Sequence, residues 1–208
     1  MNRKIELSIF AVIGIVVVTL IGVSFAYFFA SANNSGSNIS GETFDFGASL
    51  NISTIYRANN LVPLSNNLVS TAISKESNKC IDKNNRDVCS LYSLTLSNTG
   101  DTVVLTPSII TTNSTYTTSD LRCQLYNSSF AAVSDVITPS NTSNAKVYMT
   151  SGGNNLSINL SSADQTYYLV IWLRETNNSQ SADYSKSYSG TITFEGENGG
   201  EVYVDFTA

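Results

Sequence analysis

The side chains in this chain that could do chemistry are carboxylates, cysteines and hydroxyls, because histidine is absent. Without an imidazole there is no Ser-His-Asp triad and no His-Glu-x-x-His zinc helix. Spacing leaves one catalytic set open, a carboxylate pair for general acid–base work. Asp45, Asp101, Asp120, Asp135, Glu175 and Asp183 could converge in space, although each also suits a turn or cap. Asp82, Asn84 and Asp87 faintly resemble a calcium loop. Arg86 holds the fifth place, however, and Asp87 holds the sixth, where an EF-hand needs glycine, so a solvated hairpin tip is expected. No catalytic residue, cofactor site or metal ligand set is assigned, and the chain reads as a non-enzyme. Tyr167, Tyr168 and Trp172 could line a sugar-binding face, but aromatics on a central strand belong to the core.

Three cysteines remain to be placed. Cys80 and Cys89 flank a polar insert, Ile81 to Val88, and are expected to pair in an oxidising compartment; the alternative is buried free thiols. Cys123 alternates with apolar neighbours and is expected to be an unpaired strand residue. The absence of a close Cys-x-x-Cys pair removes a zinc reading.

The first thirty residues decide where these groups live. Arg3 and Lys4 precede an apolar run from Leu7 to Ala30 that carries no charge. A spanning helix needs about 20 apolar residues, and a signal-peptide core about 7 to 15. Length favours an anchor, yet small residues suit signal peptidase at Ser24 and Ala26, or alternatively at Ala30 and Ala32. Residues 1–32 are therefore a signal peptide or a membrane anchor, the latter lying in the membrane through residues 7–30 if uncleaved. Either way the basic end stays inside, and the rest is exported to the cell surface or the extracellular space. Residues 33–41, rich in Asn, Ser and Gly, form a flexible linker. Cleavage after Ala26 would leave Tyr27, Phe28 and Phe29 as an exposed apolar N-terminus.

The net charge is −5 and charged residues are only 13% of the chain, too acidic and too sparse for a nucleic-acid footprint. Ser, Thr and Asn carry the polarity instead, and Asn-x-Ser/Thr triplets such as those at Asn38, Asn51 and Asn113 arise readily from that composition. Residues 42–208 suit one ectodomain. Phe44, Phe46, Ala48, Leu50 and Ile52 alternate on one strand face. After a loop at 57–70, Leu68 to Ile73 is a candidate short strand. Leu91 to Leu96 alternates again, and Asn98 to Asp101 turns into Thr102 to Thr112, which predicts an antiparallel pair. Leu121 to Tyr126, Lys146 to Thr150 and Leu156 to Leu160 follow. Thr166 to Arg174 is apolar on both faces and belongs at a sheet centre; Tyr188 to Gly196 and Glu201 to Phe206 make a closing hairpin. About ten strands and no amphipathic helix imply an all-β sandwich of jelly-roll or immunoglobulin-like kind, preceded by the N-terminal signal or anchor helix.

Gly22-Val23-Ser24-Phe25-Ala26-Tyr27-Phe28, Gly41-Glu42-Thr43-Phe44-Asp45-Phe46, Tyr92 to Gly100 and Tyr188 to Glu195 together resemble the TasA/camelysin family of exported Gram-positive matrix-fibre proteins. The resemblance implies a jelly roll trimmed by a signal peptidase at Ser24 and Ala26. It also implies self-association into biofilm-type fibres, with a freed segment from Tyr27 to Phe46 adding as a strand to the next subunit. Tyr27, Phe28, Phe29, Phe44 and Phe46 are its donor-strand candidates. The alternative is a membrane-anchored, adhesin-like domain that holds a glycan or protein. The Cys80–Cys89 tip is an elaboration on the family pattern. A metalloprotease role described for the camelysin branch finds no histidine here.

Overall fold

A computed structural model of the chain describes residues 47–77, 79–197 and 199–208. The signal-peptidase candidates Ser24, Ala26, Ala30 and Ala32 lie outside the described residues, as do the donor-strand candidates Tyr27, Phe28, Phe29, Phe44 and Phe46. In chain order the strands are β1 (Ala48–Tyr56), β2 (Ser90–Asn98), β3 (Val103–Ser114), β4 (Leu121–Asn127), β5 (Lys146–Tyr148), β6 (Thr150–Ser151), β7 (Asn154–Asn155), β8 (Ile158–Leu160), β9 (Gln165–Leu173), β10 (Tyr188–Gly196) and β11 (Glu201–Thr207). A single short α-helix, α1 (Val69–Ile73), is found among the described residues.

The fold is all-β and sandwich-like. One antiparallel sheet runs β1-β2-β9-β4; the other runs β11-β10-β3-β5, with β8 also paired to β3. Alternation along each strand sends every second apolar side chain into the space between the sheets. Ala48, Leu50, Tyr92, Leu94, Leu96, Leu125, Leu169 and Ile171 come from the first sheet; Leu105, Ile109, Ile192, Phe194, Val202, Val204 and Phe206 come from the second. They form one core. The closing hairpin is as expected, with Ile192 opposite Val204. Gly152 and Gly153 (φ 59° and 80°) make the two-residue turn between β6 and β7, because such hairpin turns need positive φ at both central positions.

Strand β9 lies between β2 and β4, and its second apolar face meets a second layer. Val170 and Trp172 point away from the main core, toward Val69, Ala72, Ile73, Val88, Leu91 and the Cys80–Cys89 disulfide. The segment between β1 and β2 thus caps the outer face of the first sheet. Its tip is held by Asp82, which accepts hydrogen bonds from the Asn84 and Arg86 amides and from the Arg86 side chain. Both bonded cysteines are fully buried, while Lys83 to Arg86 are exposed. Cys123 is free and buried, and burial pushes its thiol pKa well up.

Two strand expectations are corrected. Leu68 to Ile73 is not a strand: Val69, Ala72 and Ile73 are the buried positions, a 3–4 residue spacing that only a helix turns to one side. A helix this short does not persist alone, so packing on Trp172 decides its form. Nor do β2 and β3 pair with each other. The Asn98 side chain donates to the Asp101 and Leu160 carbonyls and accepts from the Gly100 amide, which makes 98–101 an arch from one sheet to the other. The first described strand runs to Tyr56, beyond the alternating stretch, because its later residues pair with β2 while facing solvent.

Candidate functional site

Arg174 follows the most apolar strand of the chain, and Asp120 precedes β4. The Arg174 amide donates to the Asp120 carbonyl at 2.8 Å, continuing the β4–β9 ladder by one rung and setting the two side chains together. Arg174 Nη2 then donates to Asp120 Oδ1 at 3.2 Å. Beyond this rung the chain from 175 to 186 loops outward, with Asn177 and Ser185 in the left-handed region and one 3-10 turn at Ser181–Asp183. The loop borders an open cleft of about 580 Å³, in the size range of small-molecule sites.

The pocket is lined mainly by polar side chains. Thr118, Asp120, Arg174, Glu175, Gln180 and Asp183 supply its functional groups, and Asn177, Asn178 and Ser179 its outer rim. Asp183 is 3% exposed, and its carboxylate accepts from the Thr118 hydroxyl at 2.9 and 3.0 Å. Gln180 Nε2 donates to the Arg174 carbonyl at 2.8 Å and reaches Asp120 Oδ2 at 3.4 Å. Arg174 Nε and Gln180 Oε1 are buried with no hydrogen-bond partner among the described residues. Arg122, one residue into β4, donates to the Ser119 and Leu121 carbonyls; burial first, and the like charge of Arg174 second, pull its pKa below the usual value.

Asp120, Glu175 and Asp183, three of the six carboxylates singled out in the sequence, therefore line one cavity. Asp101 and Asp135 do not join them: Asp101 belongs to the arch, and Asp135 accepts from the Gly152 and Gly153 amides and the Thr150 hydroxyl at the β6–β7 turn. Asp45 lies outside the described residues. Asp87 is committed to the Tyr56 hydroxyl and the Asn59 amide, and Asp82 to the tip, which accounts for both acids of the calcium-like stretch. Among the described residues no group of three or more acidic or cysteine side chains is placed to hold a metal ion. Sequence reasoning missed Thr118 and Gln180, which lie in Ser/Thr/Asn-rich stretches that spacing cannot resolve. The one available signal was the charged pair Arg174-Glu175 directly after an apolar strand. Of the aromatics weighed for a sugar face, Trp172 is fully buried and donates to Asn66 Oδ1 at 3.1 Å, whereas Tyr168 stacks on Phe130.

A second surface concerns the sheet edges. The outer edge of β4 is covered by residues 131–137, with Cys123 and Ile137 exchanging both amide bonds and the Val133 amide donating to Leu125. Among the described residues, β1 pairs only with β2 and β11 only with β10. These two strands run close to each other at one side of the sandwich. No helix among the described residues is long and apolar enough to cross a membrane.

No family profile and no curated protein matches the chain. Among solved structures, it is similar to AvmM, described as catalysing macrocyclization in alchivemycin A biosynthesis, at 9% identity and a TM-score of 0.32, over 80% of this chain and 94% of that one. It is also similar to a sugar phosphate isomerase of the cupin superfamily from Silicibacter pomeroyi, at 9% identity and a TM-score of 0.16, over 73% and 87% of the two chains. Overlaps this loose bear neither on its fold nor on its chemistry.

Proposed function

We propose that the protein is an exported surface or matrix structural protein of the TasA/camelysin kind, a jelly-roll subunit that joins its neighbours by strand addition. The observation that carries this reading is the position of β1 at the end of its sheet, where among the described residues it pairs only with β2. It follows in sequence the segment holding Tyr27, Phe28, Phe29, Phe44 and Phe46, and among the described residues β11 beside it pairs only with β10, its Thr207 carbonyl accepting from the Tyr92 hydroxyl. Main-chain amides at such edges take an incoming strand, and alternate apolar side chains set its register. Addition that does not close on itself makes a filament. The Cys80–Cys89 disulfide suits an oxidising, extracellular setting. The test is intact mass and N-terminal sequence of the protein recovered from cells and medium. A start at Tyr27 in high-molecular-weight material, lost with Phe46→Asp, is the expected result; intact Met1 confined to the membrane fraction would overturn it. A second reading, an anchored adhesin-like binding domain, is favoured by the polar pocket between Asp120 and Asp183.

A further inference from the structure

We propose that the pocket beside Asp120 and Arg174 binds a neutral saccharide, a reading that rests on the binding-domain alternative and names its ligand class. The charge of the lining excludes anions. Asp120, Glu175 and Asp183 face a single lining cation, Arg174, which is already engaged by Asp120. Uronates, sulfates and phosphates would meet an excess of carboxylates, three against Arg174 and the neighbouring Arg122. A bare metal ion finds no cluster of ligating side chains among the described residues. An apolar ligand finds no partner either, because Ala182 is the one fully apolar side chain in the lining.

What remains is a ligand that both donates and accepts many hydrogen bonds. The pocket is built for that. Asp183, almost fully buried, takes its side-chain hydrogen bonds from the single hydroxyl of Thr118, although a carboxylate can accept about four hydrogen bonds. Gln180 and Arg174 both hold Asp120, and each leaves one buried atom without a partner among the described residues, an acceptor on Gln180 and a donor on Arg174. A sugar hydroxyl is donor and acceptor at once and satisfies such a pair. Both atoms lie beneath the pocket surface. Gln180 therefore has to turn toward the ligand, giving up its long 3.4 Å bond to Asp120 and its 2.8 Å bond to the Arg174 carbonyl, which the bonds to the ligand replace.

The experiment is retention of the full-length chain, recovered from cells, on immobilised neutral glucan and chitin oligosaccharides, with polygalacturonate as the anionic counterpart. Retention on a neutral saccharide and none on polygalacturonate is expected. Ser179→Trp, at an exposed rim position, is expected to abolish retention without disturbing the fold, and Gln180→Ala to weaken it about tenfold, as the loss of one or two hydrogen bonds to the ligand would. Glu175→Lys is expected to admit polygalacturonate. Retention unchanged by Ser179→Trp would overturn the pocket while leaving saccharide binding elsewhere on the domain. Wild-type binding to polygalacturonate as strong as to glucan would overturn the charge argument. A wild-type chain that binds a protein component of the cell surface but no saccharide overturns the ligand class alone. One that binds nothing overturns the binding-domain reading as well.

Discussion

Replacing Cys80 and Cys89 together by alanine removes the staple that holds the cap on the outer face of the first sheet. The bridge closes nine residues of chain, so the unfolded state regains an entropy worth about 2.6 kcal/mol at 25 °C on the chain-entropy account. For a domain of this size that lowers the melting temperature by about 5–10 °C. Alanine is the right replacement because both positions are fully buried, and serine would add hydroxyls without partners at about 1–3 kcal/mol each. Cys80 already has φ 60°, so alanine there brings no new backbone strain. The assay is built in. Trp172 is the single tryptophan of the chain and sits wholly beneath the cap, so its fluorescence reports the cap while far-UV circular dichroism reports the sheets. In urea the double variant is expected to lose its fluorescence signal ahead of its dichroism, whereas the parent shows coincident transitions. A stability loss below about 1 kcal/mol, with the two probes still coincident, would refute the view that the disulfide rather than apolar packing keeps the cap in place.

Gly190→Ala tests the close packing of β10 between β3 and β11 in the second sheet: the new Cβ would sit 3.0 Å from the Ile110 carbonyl oxygen and 3.0 Å from Phe206 Cζ. Backbone cannot give way as a side chain can, and a loss of about 1–3 kcal/mol in urea midpoint experiments is expected, an unchanged midpoint contradicting the packing. The Gly153 amide first, then the Thr150 hydroxyl and the Gly152 amide, hold the Asp135 carboxyl below its ordinary value. A depressed folded value means that this contribution is present above the unfolded carboxylate range and is lost as pH falls through it, below about pH 4. Asp135→Asn is expected to flatten that acid limb, and an identical limb in the variant would remove the assignment. At the other extreme, burial pushes the Tyr92, Tyr116 and Tyr126 phenols up to about 12. Raised acids stabilise fully below about pH 10 and lose that contribution between about 10 and 12, so unfolding should coincide with tyrosinate absorbance at 295 nm. Tyrosines that ionise near pH 10 in the folded protein would contradict it.

Period-two alternation in Leu91 to Leu96 and Glu201 to Phe206, glycine pairs at turns, and the apolar run of Thr166 to Leu173 are local properties. They were sufficient for most of the strands, the central place of β9 and the closing hairpin, as the polar insert between Cys80 and Cys89 was for their pairing. Alternation determines which side chains share a face whatever the face then meets. What that face meets is a matter of distant chain. The same Asn98 to Asp101 residues suit a hairpin or an arch, and the bond from Asn98 to the Leu160 carbonyl, 62 positions away, selects the arch. Val69 to Ile73 became a helix because Trp172 offered a surface that a helix turn covers. The pocket carries the same lesson most sharply. Asp120, Glu175 and Asp183 were visible as separate acids, but only the β4–β9 ladder brings 120 and 174 side by side and folds 175–186 over them, since a shared cavity depends on strand order rather than on residue type.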